Sequence, residues 1–108
     1  MDMQQCIDHC LKCHSVCLAT GMRHCLGQDG RDVEPDHFHL LMACAEFCMT
    51  AARFMLIGVD RHKRVCSECA DICKECAIGC ARIGDMDDCV AACRLCEASC
   101  REMAASPA

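Results

Sequence analysis

The chain has 108 residues, 16 of them cysteine, with three Phe, no Tyr and no Trp, and a formal net charge of −5. That length suits one domain over residues 1–108 with a modest core. The acidic balance, without a basic cluster, excludes a nucleic-acid surface, and no apolar run reaches the ~20 residues of a membrane span.

Helix 1 is predicted over residues 3–26, with Asp2 as N-cap and Gly27 as stop. Its cysteines, Cys6, Cys10, Cys13 and Cys17, step by four, three and four, which places them on one helix face. Cys25 follows near its end. Residues 27–34 read as a turn-rich loop. Helix 2 is expected over 35–57, with Pro35 in its first turn and Gly58 closing it. It carries only Cys44 and Cys48 on the same seam, and a second apolar series, Phe38, Met42, Ala45, Met49, Ala52 and Leu56, on nearly the opposite face. One bundle buries one face of each helix, so this second series predicts a contact between copies of the chain, helix 2 against helix 2.

Helix 3, over 61–83 with Asp60 as cap and Gly84 as stop, holds the densest stripe: Cys66, Cys69, Cys73, Cys76 and Cys80. The residues between them are mostly charged, so the buried seam of this amphipathic helix is made of thiols. Helix 4, over 86–103, begins among acidic residues that favour the positive end of the helix dipole and repeats the pattern at Cys89, Cys93, Cys96 and Cys100. Residues 104–108 read as a frayed tail. Four helices with short connections predict an all-α, antiparallel up-down-up-down four-helix bundle with a cysteine-lined core.

The register gives the bundle two distinct ends. His24 lies seven residues beyond Cys17 and His37 seven before Cys44, so both continue the stripes at one end, with Cys25, Cys80, Met86 and Cys89 expected nearby. The opposite end collects Met3, Met55, His62 and Met103. His24, His37, Met86 and His62 are candidate ligands or gatekeepers for a metal. Met3, Met55 and Met103 read more readily as a hydrophobic plug. His9, His14 and His39 fall off the seams and are expected in solvent. Glu97 and Arg101 read as a surface pair.

Thiolates are soft ligands suited to Cu(I), Zn and Fe–S clusters. Helical CxxC pairs offer two or three sulfurs to an ion more naturally than the tetrahedron zinc requires. One monovalent ion per thiolate leaves a buried core near neutral, which implies a capacity on the order of 14 to 20 Cu(I) if thiolates bridge. The N-terminus lacks the basic and apolar regions of a secretory signal, so a cytoplasmic setting with reduced thiols is expected, and with it a metal array instead of a disulfide framework. A redox CxxC would need a βαβ context, and no nucleophile converges with a base, so no enzyme is expected. The alternatives are an Fe–S carrier, disfavoured because no Cys precedes Pro, and a zinc or general soft-metal buffer.

The segments CIDHCLKCHSVC, ACAEFC, VCSECADICKECAIGC and DDCVAACRLCEASC together resemble the cysteine-lined four-helix-bundle copper storage proteins, in particular their cytosolic bacterial branch. Such sequences are sometimes named ferredoxins from cysteine counting alone. The resemblance implies many Cu(I) ions inside the bundle, no catalytic activity and a homotetramer. The predicted contact residues for such an assembly are Phe38, Met42, Met49 and Leu56. The chain departs from its relatives at His24 and His37, where further cysteines often stand, and in the loop GDMDD, which lacks the histidines some relatives carry.

Overall fold

The computed structural model of the protein describes residues 2–25 and 34–107, with the backbone alone at Cys25. It contains four helices in order, α1 (Met3–Cys25), α2 (Pro35–Ile57), α3 (His62–Ile83) and α4 (Asp87–Ala104). The expected Gly27 stop, most of the loop before Pro35 and the side chain of Cys25 lie outside the described residues.

The helix ends follow local chemistry. At the start of α1, the Gln5 amide donates to Asp2 Oδ1 at 2.8 Å and the Asp2 amide donates back to Gln5 Oε1 at 3.1 Å. This reciprocal capping box satisfies two otherwise orphaned groups. Pro35 opens α2, and Gly58 ends it with φ 86°, its amide bonded to Phe54 O. Only a residue without Cβ adopts that left-handed conformation freely.

Asp60 does not cap α3 as expected. Arg61 is the N-cap residue, without a side-chain cap bond, and the Asp60 carboxylate pairs instead with Lys63 at 3.7 Å. The backbone carbonyls of Val59, Asp60 and Arg61 take the first amides of the helix in tight i+3 bonds. Between α3 and α4 the chain reverses through Gly84 and Asp85, both at positive φ. Asp tolerates that region better than most side chains.

α1 packs against α2 and α4, and α3 against the same two helices, while the backbones of the diagonal pairs stay apart among the described residues and meet only through side chains on the axis. The result is the antiparallel four-helix bundle, an elongated body of 48 × 21 × 20 Å. Its core holds fifteen cysteines, padded by alanines such as Ala51, Ala52 and Ala70 at 0% exposure. Small side chains let the helices approach closely where aromatic bulk is lacking.

The outer series on α2 is not the free stripe the sequence suggests. Ala45 and Ala52 are buried, Phe38, Met42 and Met49 are half-buried, and only Leu56 stands fully exposed. α1 covers the rest: a Cβ at Gly21 would meet the Met42 Cε and lie 3.7 Å from Phe38, so the glycine admits both side chains. Apolarity on both faces also gives α2 a mean hydropathy of 1.7 over an 18-residue window, enough by length and composition to cross a membrane. The expectation that no stretch reaches that threshold is corrected. In the fold, 39% of that window is buried in the bundle, and Leu56 and Ile57 stay exposed.

Two ion pairs between helices clamp the outside. Arg82 donates to both carboxylate oxygens of Glu34, at 3.0 and 2.7 Å. Arg101 bridges Asp71 at 2.9 Å and Glu97 at 3.4 Å, so the expected Glu97 pair forms within a larger cluster.

Candidate metal centre

Each cysteine stripe points to the bundle axis because three- and four-residue steps keep its members on one side of a 3.6-residue helix. All fifteen cysteines with described side chains are free thiols at 0% exposure, so the disulfide alternative fails for them. The stripes interdigitate across helices. Cys10 Sγ lies 3.5 Å from Cys100 and 3.7 Å from Cys96. Cys17 lies 3.6 Å from Cys89 and 3.5 Å from Cys93. Cys48 reaches Cys73 and Cys69 at 3.7 Å and Cys96 at 3.8 Å. The two cysteines of α2 thus join stripes that its sparse seam could not span alone.

Groups of four sulfurs lie within 4.8 Å of one another: Cys10, Cys69, Cys96 and Cys100; Cys48, Cys69, Cys73 and Cys96; Cys13, Cys44, Cys48 and Cys73; Cys13, Cys17, Cys44 and Cys93; and Cys17, Cys76, Cys89 and Cys93. Each group shares two members with the next in this order. The thiols therefore form one continuous column, not separate pockets. At one end of the column the Cys6 thiol is influenced by Cys66 and Cys100, and at the other Cys80 by Cys76 and Cys89.

Thiols this close do not ionise independently. Donation from Cys17 and other neighbours brings Cys89 down to about 5. Cys13, donated to first by Cys17, Cys69 by Cys10 and Cys76 by Cys17 are likewise held below the ordinary thiol range. Their partners move the other way: Cys96, which faces Cys10 and Cys100, and Cys93, which faces Cys13 and Cys17, are pushed up. Burial opposes ionisation at every site. Lowered and raised thiols thus lie side by side along the column, so soft cations binding there would displace protons from the raised ones.

The end predicted from His24 and His37 comes together in part. His24, Met86 and Cys89 line an open cavity of about 470 Å³, with Thr20, Arg23, Asp85, Asp87 and Asp88. His37 is buried, its Nε2 3.3 Å from Cys80 Sγ, and a Cβ at Gly79 would fall 2.6 Å from its ring. Gly79 is what allows the imidazole to reach the column. The sequence reading passed over the three aspartates as part of this cavity. Their only signal was a run of like charge beside a seam cysteine.

Two other histidines depart from expectation. His9 is hydrogen-bonded through Nδ1 to the buried Ser99 hydroxyl, and His14 Nδ1 lies 2.8 Å from the Ala45 carbonyl. Both serve helix packing and are half-buried, because a position beside a seam in a four-helix bundle faces a neighbouring helix. His39 is exposed as expected. His62 is buried, with Nδ1 2.7 Å from the Val59 carbonyl.

Comparisons with known proteins agree with this geometry. The profile of the copper storage protein family, Csp, matches residues 1–105. The chain is 32% identical over 109 aligned positions to the uncharacterized cysteine-rich protein YhjQ of Bacillus subtilis (strain 168), covering 94% of this chain and 95% of that one. Its fold is similar to the crystal structure of the Nmul_A1745 protein from Nitrosospira multiformis, with a TM-score of 0.90 and 47% identity over 95% of this chain and 94% of that chain. With a buried column of clustered thiols and a family profile that spans nearly its whole length, the chain belongs to the copper storage protein family.

Proposed function

We propose that the protein stores Cu(I) along the thiol column, on the order of 14 to 20 ions per chain with thiolates bridging, and that it is not an enzyme. The observation that supports this reading best is the overlap of the four-sulfur groups. Cys13, Cys17, Cys44, Cys48, Cys69, Cys73, Cys93 and Cys96 each belong to two of those given above. Shared sulfurs suit an ion content with bridging ligands and low coordination number. A single delivery or sensing site would need one group, not a chain of them.

The cavity lined by His24, Met86 and Cys89 is the proposed mouth, with His37 and Cys80 beneath it as the first relay. Asp85, Asp87 and Asp88, set against Arg23, leave it the net negative charge that draws in a cation. A cytoplasmic setting keeps the array reduced. Self-association as a tetramer would use the half-covered Phe38, Met42 and Met49 with the exposed Leu56.

Zinc is the second reading, and one observation favours it. Three groups share no sulfur: Cys10, Cys69, Cys96 and Cys100; Cys13, Cys44, Cys48 and Cys73; Cys17, Cys76, Cys89 and Cys93. Each could close around one tetrahedral ion. The two readings differ in number. Anaerobic titration of the reduced protein with Cu(I) against a competing chelator should saturate near one ion per cysteine, colourless and with helix content retained. Saturation at about three ions, tighter for Zn than for Cu(I), or a coloured protein with labile sulfide, would overturn the storage reading.

A further inference from the structure

The end of the column away from the mouth finishes in a layer of soft donors. Cys10, Cys69, Cys96 and Cys48, one from each helix, form a ring: Cys48 lies 3.7 Å from Cys69 and 3.8 Å from Cys96, Cys96 lies 3.7 Å from Cys10, and Cys10 and Cys69 fall within 4.8 Å. Two helical turns, seven residues, carry each helix about 10 Å along the axis and return it to nearly the same face. From Cys10 that step reaches Met3, from Cys48 Met55, from Cys69 His62, and from Cys96 Met103. Midway lie Cys6, Cys66 and Cys100, close enough to shift one another's thiol ionisation, with Ala51 and Ala52 at that level on α2. The register therefore places three thioethers and one imidazole one step beyond the last thiol layer, at nearly a common level.

We propose that Met3, Met55, His62 and Met103 form a terminal Cu(I) site, a second point of exchange that closes the column beyond Cys6, Cys66 and Cys100. The proposal rests on the storage reading. Chemistry and burial both support it over a plain plug. Met55 is 2% exposed, Met103 7% and His62 8%, so these three donors face the interior, while Met3 is half-buried at the rim. The His62 Nδ1–H donates to the Val59 carbonyl at 2.7 Å. With Nδ1 so engaged by a backbone carbonyl, Nε2 is the ring nitrogen left to a metal, the arrangement found in metal-ligating histidines. Val59 stands in the turn next to Gly58, so the α2–α3 connection itself orients the ring. Thioether and imidazole are neutral donors suited to a soft monovalent ion. They bind it less tightly than thiolates do, so this layer fills last and exchanges first.

The test uses the whole reduced protein, labelled with ¹³C at its methionine methyls, titrated anaerobically with Cu(I) to saturation. The Met3, Met55 and Met103 resonances, assigned by single Met→Leu changes, should move late in the titration, while those of Met42 and Met49 stay. The volume-conserving double change Met55→Leu/Met103→Leu and His62→Ala should each lower the capacity by about one ion with helix content unchanged by circular dichroism. Thiols that fill while the three methyls stay fixed, or variants of full capacity, would leave storage standing and overturn the terminal site. A protein that takes up no Cu(I) would overturn both. Should His62→Ala fail to fold, the methyl shifts of the native protein and the Met→Leu variant decide.

Discussion

The two ends of the bundle are built from the same helices yet offer different chemistry. At one, three aspartates, His24 and Met86 surround an open cavity that reaches the Cys89 thiol. At the other, buried Met55, Met103 and His62 lie on the axis, and a cavity of about 420 Å³ is lined by Asp60, Arg61, Lys63 and Arg64. The sign of the charge reverses along the column. A cation approaching from water is drawn to the aspartates and repelled by the arginines and lysine, so the thiol column has a direction although its sulfurs are nearly uniform. Geometry alone would allow filling from either end. Electrostatics favours one.

Proton competition should act on both ends alike. In the mouth-side group Cys76 and Cys89 are lowered, Cys89 to about 5, while Cys17, Cys80 and Cys93 are raised. In the closed-end triangle Cys6 is lowered, whereas Cys66, facing Cys100, and Cys100, facing Cys10, are raised. Ions bound at raised thiols displace protons, so affinity falls as pH falls, by about tenfold per pH unit for every proton released. Lowering the pH from about 8 to 6 in the presence of a fixed chelator should strip both ends together, and alkylation footprinting should find Cys66 and Cys100 reactive over the same range as Cys80 and Cys93. Loss at one end well before the other would show that proton competition, and not the charge outside the column, sets its direction.

Removing the acidic rim is the next largest perturbation. Asp85→Asn/Asp87→Asn/Asp88→Asn should slow Cu(I) uptake about tenfold at low ionic strength, with the difference fading as salt is added. Capacity should not change. The mirror variant, Arg61→Gln/Lys63→Gln/Arg64→Gln, should leave the uptake rate as it was. Equal slowing in the two variants, followed by stopped-flow, would show that ions do not choose an end.

The smallest effect is expected from packing beneath the mouth. Gly79→Ala places a methyl 2.6 Å from the His37 ring, and relief requires the imidazole to leave Cys80. Overpacking of this kind costs about 1–3 kcal/mol, read as a fall in Tm of several degrees by thermal denaturation. His37 should lose its response to the first equivalents of Cu(I). Retained stability and an unmoved His37 resonance would show that the ring has room the structure does not give it.

How much of this could be read without coordinates differs by feature. The helices were legible because cysteine spacing is a helical period and because Asp2, Pro35, Gly58 and Gly84 punctuate it locally. The thiol column was legible as a set of seams, since thiols on four converging faces must meet. The closure of the outer α2 face was not, because it depends on Gly21 of α1 admitting Phe38 and Met42. His9 and His14 were misplaced for a related reason: helical register states which face a residue occupies but not which neighbour covers it. The Glu34–Arg82 and Asp71–Arg101 pairs join positions far apart in sequence, where no local pattern links them.

The sequence by itself determined the four amphipathic helices and a thiol on every inward face, because both depend on periodicity within one segment. It also determined that Met3, Met55, His62 and Met103 each continue a seam. Only the tertiary structure decided the axial alignment of those seams, which turns stripes into overlapping four-sulfur groups. Alignment is set by how side chains of different helices interlock, and a thiol's protonation then depends on which foreign sulfur it faces. The direction of the column was decided there too, since it arises from charges on separate turns brought to opposite ends.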